Sequence, residues 1–422
     1  MRKFWFITYN YLFVPLMGVF FYTGFLFSAK IRNGINGRRN IFKKLKNSVS
    51  YLNPNKRTIL IHSSSLGEFQ QALPLINEID TSEYNIVFSF FSPSGYNNAR
   101  INLKNSFKTY LPFDSVSNVK KFLSLINPDK VIFMRYDLWY NFLYECKKRN
   151  IPTILANARY DVKDITWSFP LSRSFKVTLY NMIDKIFVID RDDEKNFKKL
   201  LNSDVKLTGD SKFERVLQAS KNINTLNILP STVIANKRIF VIGSSWKDDE
   251  DILLPVVNKL MKFHPDLLTV LVPHEPKEKK IERIEYRITN EFENLKSIRF
   301  SELHKFSNNN LIIVDKIGYL MKLYSLAYFS YVGGGFRTGL HNIVEPAVYN
   351  MPIFFSNRVT NSDDSEVLLN AGCGVLVDDQ RKLYKDISEI LYYPEVRNSI
   401  ASKCELIFEN SLGIAKKIIS NI

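Results

Sequence analysis

Short apolar runs alternate with stretches of helical periodicity along most of the chain. In the first half, six runs have the length and composition of β-strands. They lie at residues 58–64, 85–92, 130–135, 152–158, 185–190 and 204–210. Apolar strands separated by helices are typical of a parallel sheet that is covered on both faces.

A second set of strand-like runs follows a polar stretch without periodicity, "QASKNINTLNILPSTVIAN" at residues 218–236, which has the composition of a linker. The runs lie at residues 238–245, 267–273, 310–315, 326–334, 351–356 and 374–379. The pattern predicts an α/β fold with two doubly wound, Rossmann-like domains that face a cleft. Ligands of such folds bind beyond the carboxyl ends of the strands.

Four segments follow from this pattern. We expect a membrane anchor and basic flank at residues 1–50, a first Rossmann-like domain at 51–217, the linker at 218–236 and a second Rossmann-like domain at 237–422. The last helix of the chain is a candidate for packing back on the first domain.

The amino terminus is uncharged from residue 4 to residue 29 and is dominated by aromatic and aliphatic side chains. That length is enough to cross a bilayer as a helix, and the heavier basic flank after it would stay in the cytoplasm. A cleaved export signal is disfavoured because the stretch is long and ends in a strongly basic segment. A helix lying in the membrane surface is the alternative, since Asn10, Pro15, Gly18 and Gly24 interrupt the apolar run.

The basic net charge of the chain predicts an anionic partner. Lys and Arg outnumber Asp and Glu by 58 to 42, for a formal net charge of +16. Of nucleic acid, phospholipid headgroups and a phosphorylated substrate, nucleic acid is the least favoured partner because no zinc-finger, RNP-type or basic-zipper pattern accompanies the charge. The three scattered cysteines favour a reducing compartment, and the five histidines show no metal-site spacing.

The second domain contains "YVGGGFRTGLHNIVEPAVYNMPIFFS" at residues 331–356. A strand is predicted to end in the three glycines, with a helix beginning near His341 and Asn342 whose N-terminus would bind phosphate. Glu345 would accept hydrogen bonds from a ribose, or would simply stabilise the helix end. "GSSWKDDED" and "VPHEP" end two other strands of the same sheet. The acidic run at residues 248–251 is most simply a solvated first turn of a helix.

The first domain carries "HSSSLGEF" at the end of its first strand, which places Glu68 in the first turn of a helix. A carboxylate there either stabilises the helix end or acts as a general base, and the local sequence alone favours the helix end. Trp139 and Tyr140 are best explained by helix packing. Polar residues at the ends of the neighbouring strands point to the same edge: Ser92, Ser94, Arg135, Asp137, Asn157 and Arg159.

Several blocks together resemble the 3-deoxy-D-manno-octulosonic acid (Kdo) transferases. They are "HSSSLGEFQQALPLI", "YLPFDSVSNVKKFL", "RYDLWYN", "ANARY", "LTGDSKFERV", "GSSW", "VDKIGYLMKLYSLAYFSYVGGGF" and "GLHNIVEPAVYNMPIFF". The resemblance covers most of the chain and implies a GT-B fold. It also implies inverting transfer of Kdo from CMP-Kdo to the phosphorylated lipid A precursor (lipid IVA) at the cytoplasmic face of the inner membrane. The catalytic base of the family then falls on Glu68, with no metal or cofactor.

The resemblance also implies two sets of binding residues. The donor-binding set is Gly243, Ser244, Ser245, His274, Ile317, Gly318, Gly334, Gly335, Asn342 and Glu345. The acceptor-binding set is Ser65, Gly67, Ser92, Ser94, Arg135, Asp137, Asn157, Arg159 and Lys212. The chain departs from the family in having "PHEPKE" for "PRHPE" and "RYDLWYN" for "ETELWPN", so His274 replaces an arginine and Arg135 an acid.

Two other functions stay open. One is a GT-B transferase that uses another nucleotide sugar with a lipid acceptor, and the other is a non-catalytic membrane protein that binds anionic lipids. In a Kdo transferase the basic flank at residues 30–46 is expected to contact anionic membrane lipids and the phosphorylated acceptor.

Overall fold

The computed structural model describes residues 2–221, 223, 228–336, 339–358 and 363–422, and these contain two parallel seven-stranded sheets. The chain divides into two compact units. The first unit is Met1–Arg215 with Gly413–Ile422, and the second is Val216–Leu412.

The sheet of the first unit has the strand order β3-β2-β1-β4-β5-β6-β7, with β1 in the middle and every pair parallel. Its strands are β1 Arg57–Ser63, β2 Tyr84–Phe90, β3 Ser106–Tyr110, β4 Lys130–Met134, β5 Thr153–Ala158, β6 Lys185–Val188 and β7 Asp204–Leu207.

The second sheet has the order β10-β11-β9-β8-β12-β13-β14, again with every pair parallel. Its strands are β8 Arg238–Ser245, β9 Leu267–Pro273, β10 Ser297–Arg299, β11 Leu311–Ile313, β12 Phe329–Val332, β13 Ile353–Ser356 and β14 Gly374–Val377.

Helices connect the strands and cover both faces of each sheet. Those of the first unit are α1 Arg2–Thr8, α2 Val14–Phe27, α3 Ala29–Gly37, α4 Ile41–Val49, α5 Leu66–Asn77, α6 Pro93–Asn98, α7 Val116–Ile126, α8 Tyr140–Lys148, α9 Pro170–Tyr180, α10 Arg191–Leu200 and α11 Ser211–Lys221, which continues into the second unit. Those of the second unit are α12 Ser231–Ile234, α13 Lys247–Phe263, α14 Glu278–Glu291, α15 Leu320–Tyr324, α16 Val344–Ala347, α17 Asp363–Ala371, α18 Gln380–Tyr392 and α19 Pro394–Ser411, and the last helix, α20 Ile414–Ile419, belongs again to the first unit. A π-helical turn at Tyr9–Phe13 joins α1 to α2, and 3-10 turns lie at Ile165–Trp167 and Phe300–Lys305.

The two faces of the first sheet are buried in two separate clusters. Leu60 of β1 packs in one cluster with side chains of α7 and α8, whereas Ile59 and Ile61 pack in the other. Alternate residues of a strand point to opposite faces, so a continuous apolar run such as that of β1 is what a doubly covered sheet requires. The predicted doubly wound α/β class is therefore confirmed.

The segment boundaries differ in detail from those expected. The first unit ends at Arg215, and α11 runs across the beginning of the predicted linker at residues 218–236. Residues 222 and 224–227 of that linker lie outside the described residues. Helix α20 belongs to the first unit, where it packs on α5 and where the Ala415 N–H donates to Glu214 Oε2 at 2.8 Å.

The amino-terminal helix runs from Arg2 to Phe27, and its 26 residues have an apolar window with a mean hydropathy of 1.5, of which 11% is buried. Its length and composition are compatible with a membrane anchor. Two of its side chains nevertheless belong to the core of the first unit. Trp5 is 3% exposed and donates from Nε1 to Ser174 Oγ at 3.1 Å, while Tyr9 packs against Tyr140 and Phe175.

This packing predicts that Trp5→Ala destabilises the first unit. Truncating a buried tryptophan removes apolar contacts and leaves a cavity, at a cost of about 3–5 kcal/mol. Urea unfolding of the full chain in detergent measures the change. Tyr11→Ala, on the same helix but at an 81% exposed position, is the matched control. Equal stability of the two variants would contradict the packing.

Candidate active site

Glu68 lies where β1 gives way to α5, and its carboxylate faces back toward the loop. Ser65 caps α5, so Glu68 is the third residue of the helix. Its Oε2 accepts a hydrogen bond from the Ser64 N–H. A glutamate at this position typically reaches back to N–H groups that the helix leaves free. The predicted role of Glu68 in stabilising the helix end is therefore supported by this hydrogen bond. The same hydrogen bond fixes the position of the Glu68 carboxylate.

A buried histidine links the neighbouring strands beneath this loop. His62 of β1 lies between Ser89 of β2 and Asp137, which follows β4. Its Nδ1 is 2.9 Å from Ser89 Oγ and its Nε2 is 2.9 Å from Asp137 Oδ2. Neither His62 nor Ser89 is among the predicted site residues. The available signal was a polar side chain within the otherwise apolar strand "RTILIHS".

The two carboxylates have different electrostatic environments. Glu68 is 9% exposed. Burial raises its pKa, the charge of Asp137 raises it further, and the Ser64 N–H and His62 oppose this only in part. Burial by itself would also raise the pKa of Asp137. The hydrogen bond and charge of His62 outweigh it and hold the pKa of Asp137 below its ordinary value. Glu68 is therefore the more basic of the two and the better proton acceptor.

The loop after β2 adjoins the Glu68 loop. The Ser92 N–H donates to the Ser64 carbonyl oxygen at 2.8 Å, and the hydroxyls of Ser92 and Ser94 are 3.0 Å apart. The predicted acceptor-binding residues Ser65 and Gly67 lie at the start of α5 beside them. The structure thus brings this part of the predicted set together around Glu68.

Arg135 is bound by groups of the first unit itself. Its Nε donates to Gln71 Oε1 at 2.8 Å and its Nη2 lies 3.3 Å from Asp210 Oδ2. Its φ of +66° is in the left-handed region, which costs a non-glycine residue energy. This arrangement ties the end of β4 to α5. The acid expected at this position by the family pattern is thus replaced by a residue that pairs with another acid.

The three remaining residues of the predicted acceptor-binding set differ in their exposure to solvent. Asn157 is 0% exposed and its amide bonds Ser211, with Nδ2 2.7 Å from Ser211 Oγ. An acceptor cannot reach this side chain in the present conformation, so we exclude Asn157 from the proposed site. Arg159 after β5 and Lys212 in α11 are half-buried, and their contacts to an acceptor stay predictions.

In the second unit, the prediction of a solvated acidic run after β8 is wrong for two of its residues. Asp249 is 1% exposed and accepts hydrogen bonds from the Tyr331 hydroxyl at 2.7 Å, the Trp246 N–H at 2.9 Å and the Gly334 N–H at 3.1 Å. Glu250 is also buried and pairs with Arg283. The Gly334 amide is therefore occupied by Asp249 and is not directed at a phosphate in this conformation.

A stack of rings covers the glycine turn. Trp246 and His274 have ring centroids 4.8 Å apart, and His274 and His341 have centroids 4.2 Å apart. Trp246 Nε1 donates to His341 Nε2 at 3.1 Å. Burial, with the charge of His274 second, lowers the pKa of His341 to about 4, so His341 is neutral and able to accept this bond. His274, which replaces the arginine of the family pattern, is held by this stack.

The predicted helix at His341 and Asn342 begins later than expected. Helix α16 starts at Val344 and has four residues, so it offers no extended N-terminus to a phosphate. Asn342 Nδ2 donates to Glu345 Oε1 at 2.9 Å. Asn342 Oδ1 is buried without a hydrogen-bond partner among the described residues. A buried acceptor of this kind is costly unless a donor, such as a ligand group, completes it.

The other six predicted donor-binding residues differ in their surroundings. Gly243 and Ser245 are packing positions, since a Cβ on Gly243 would lie 1.9 Å from the Tyr324 hydroxyl and Ser245 Oγ donates to buried Glu250. Ser244 and Gly318 have positive φ values of +53° and +92°. Ile317 is exposed, and Gly335 packs against Ser356.

A pocket of about 430 Å³ lies at the carboxyl edge of the second sheet. It shares no residue with the predicted donor-binding set; its lining is Asp248, Asp251, Ile252, Phe336, Asn357, Arg358 and Asp378. Within the described ranges, no group of three or more His, Cys, Asp and Glu side chains is arranged to hold a metal ion. The expected independence of metal stays a prediction.

Comparison with known proteins identifies relatives of both units. A family model described as "3-Deoxy-D-manno-octulosonic-acid transferase (kdotransferase)" matches residues 36–215. The chain is 29% identical to the 3-deoxy-D-manno-octulosonic acid transferase of Rickettsia prowazekii (strain Madrid E) over 344 residues, 79% of this chain and 72% of that protein. It is 27% identical to the Haemophilus influenzae protein of the same name over 339 residues, 76% of each.

A solved structure supports the fold independently. The UDP-GlcNAc 2-epimerase of Neisseria meningitidis, bound to UDP-GlcNAc, aligns with a TM-score of 0.59 and 14% identity over 86% of this chain and 100% of that chain. This likeness concerns the fold alone. With the two parallel sheets it confirms the expected GT-B class.

Proposed function

Because the chain belongs to the family of 3-deoxy-D-manno-octulosonic acid (Kdo) transferases, we propose that it is an inverting glycosyltransferase that moves Kdo from CMP-Kdo to the phosphorylated lipid A precursor, lipid IVA. This reaction belongs to lipopolysaccharide biosynthesis at the cytoplasmic face of the inner membrane. The observation that carries the proposal is the buried carboxylate of Glu68, fixed by the Ser64 N–H beside Asp137 and His62.

In the proposed reaction Glu68 acts as the general base. An acceptor hydroxyl attacks the anomeric carbon of Kdo while the bond from that carbon to the CMP phosphate oxygen breaks. Glu68 takes the hydroxyl proton as the new glycosidic bond forms, and CMP leaves with the electron pair. Attack opposite to the leaving group inverts the anomeric centre. The raised pKa of Glu68 suits this role because it increases the proton affinity of the carboxylate.

Asp137 and His62 are positioning residues in this proposal. The His62 bond keeps Asp137 ionised and holds it in place, and the negative charge of Asp137 in turn raises the pKa of Glu68. Ser65 and Gly67 at the start of α5, and Ser92 and Ser94 in the adjoining loop, are proposed to contact the acceptor sugar.

The second unit is proposed to bind CMP-Kdo through Asn342 and Glu345. Asn342 Oδ1 is a buried acceptor without a partner among the described residues, and a donor group of the nucleotide would satisfy it. Glu345 is oriented by the Asn342 amide and is proposed to accept from the ribose hydroxyls. CMP leaves as a monophosphate, so the proposed mechanism requires no divalent cation to neutralise a diphosphate.

The function is tested by incubating the full chain with CMP-Kdo and lipid IVA and measuring the mass of the lipid product by mass spectrometry. We expect lipid species heavier by one or more Kdo units, at a rate that a chelator such as EDTA leaves unchanged. An acceptor modified only when another nucleotide sugar is supplied would contradict the donor assignment. Complete loss of activity with EDTA, restored by Mg²⁺, would contradict the metal-independent mechanism.

Glu68→Gln is expected to reduce kcat by roughly 100-fold or more, because the amide cannot accept the proton. The variant should be at least as stable as the parent at pH 7. The raised pKa means that burial and Asp137 penalise the charged form by more than the loop N–H groups favour it. That penalty is present above the raised pKa and disappears as pH falls through it, so any gain in melting temperature should shrink at acidic pH.

Glu78→Gln, an exposed position at the other end of α5, is the matched control and should change neither property. If Glu68 serves only the helix end, its substitution lowers stability at pH 7 and leaves kcat near that of the parent. That result would contradict the assignment of Glu68 as the general base.

Glu345→Ala is expected to weaken CMP binding, since a charged hydrogen bond to a ribose hydroxyl is worth about 1.5–3 kcal/mol. Calorimetric titration with CMP should therefore show a Kd raised by roughly 10- to 100-fold. Glu405→Ala, an exposed acid in α19 of the same unit, is the control. Equal CMP affinity in both variants would remove Glu345 from the donor site.

A further inference from the structure

The amino-terminal helix is covered by protein along one side over most of its length. Trp5 contacts Phe175 with ring centroids 5.1 Å apart, Asn10 Nδ2 donates to Asn141 Oδ1 at 2.9 Å, and Phe21 contacts Phe113 at 4.8 Å between centroids. The 16 residue steps from Trp5 to Phe21 correspond to about 24 Å of helix. All partners belong to the first unit, so the helix lies along that unit instead of projecting from it.

The opposite side of the same helix is exposed and apolar. The large exposed hydrophobic residues of this side and its ends are Phe4, Ile7, Tyr11, Leu12, Phe13, Leu16, Val19, Phe20, Tyr22, Leu26 and Phe27. An exposed apolar surface of this extent marks a binding surface for a membrane or a protein. A spanning helix would be surrounded by lipid, and this one could not be without drawing the first unit into the bilayer.

A second exposed apolar segment continues this surface. The loop after β5 and the start of α9 expose Val162, Ile165, Phe169 and Leu171. Leu171 lies one helical turn before Phe175, on the same face of α9. Phe175 stacks on Tyr9 and on Phe13, each at 6.0 Å between ring centroids. The loop and the helix are thus joined through Phe175 into one apolar surface.

The charged residues around this surface indicate which kind of partner it binds. No Asp or Glu precedes Glu68 in the chain, whereas Arg2, Lys3, Lys30 and Arg32 flank the helix. Beside the loop Lys163 and Arg173 are exposed together with one acid, Asp161, while Asp164 is paired with Lys176. An apolar face rimmed by basic side chains fits a bilayer with anionic headgroups, in which the apolar residues enter the acyl region and the cations meet phosphates.

We propose that the helix Arg2–Phe27 lies in the plane of the membrane surface and, together with Val162, Ile165, Phe169 and Leu171, forms one docking surface for an anionic phospholipid bilayer. The protein is thereby bound to one leaflet and does not cross the membrane. The in-plane arrangement replaces the expectation of a spanning helix. It does not depend on the transferase reaction, because it rests on contacts and exposure within the first unit alone.

The orientation is tested with single cysteines at Lys3→Cys and Lys30→Cys, one at each end of the helix. Inverted inner-membrane vesicles from the expressing bacterium are treated from outside with a membrane-impermeant maleimide. An in-plane helix leaves both positions on the outer side, so both should react to the same extent before and after the vesicles are opened. The parent protein, whose Cys146, Cys373 and Cys404 are buried, is the control. Labelling of Lys3→Cys only after opening would overturn the proposal.

The docking surface is tested with the double variant Val162→Ser/Leu171→Ser. Binding of the full chain to vesicles of phosphatidylethanolamine and phosphatidylglycerol is compared with that of Tyr286→Ser/Leu406→Ser, which changes exposed apolar residues of the second unit. We expect the vesicle partition coefficient of the first variant to fall roughly tenfold or more and that of the second to stay unchanged.

Two results would overturn the role of this surface. The first is equal partition of both double variants and the parent. The second is loss of a dimer in detergent by the loop variant with unchanged vesicle binding, which would assign the surface to a second copy of the chain.

Discussion

The pairing of β1 with both β2 and β4 is the constraint on which the candidate site depends. In this parallel register His62 stands opposite Ser89 on one side and Phe133 on the other, two residues before the loop that carries Arg135 and Asp137. The imidazole can therefore bond both neighbours at once. Because the carboxyl ends of parallel strands lie at one edge, the same pairing places Glu68 within electrostatic reach of Asp137.

Most of the fold could be predicted from the sequence because its strands are buried on both faces and read as apolar runs. The two strands that were missed, β3 and β10, are both edge strands. β3 alternates buried and half-buried residues with Lys108 and Thr109 in its middle, and β10 has three half-buried residues. An edge strand of this kind lacks the apolar run that marks a buried strand. It forms because it pairs with a neighbouring strand, and this pairing cannot be inferred from composition.

The site was predictable where chemistry and strand ends coincide, as at Glu68 with Ser92 and Ser94. It was not predictable where burial decides the role. Asp249 follows a strand within an acidic run and has the sequence of a solvated helix start, yet Tyr331, Trp246 and Gly334 all donate to it in the interior. Asn157 likewise ends a strand but turns inward with a positive φ of +56°, which no pattern of residue types reveals.

The docking surface and the Glu68 edge are parts of one continuous structure. Phe21 of the in-plane helix contacts Phe91, whose ring lies 4.7 Å from that of Trp139, two residues beyond Asp137. Arg38 secures this region: its guanidinium donates to the carbonyl oxygens of Phe91, Leu111 and Gly34, and burial lowers its pKa to about 10. The carboxyl edge of the first sheet is therefore fixed relative to the helix. If the helix lies in the leaflet as proposed, that edge stands at the membrane surface, and the proposed lipid acceptor can present its sugar to Glu68 while its acyl chains stay in the bilayer.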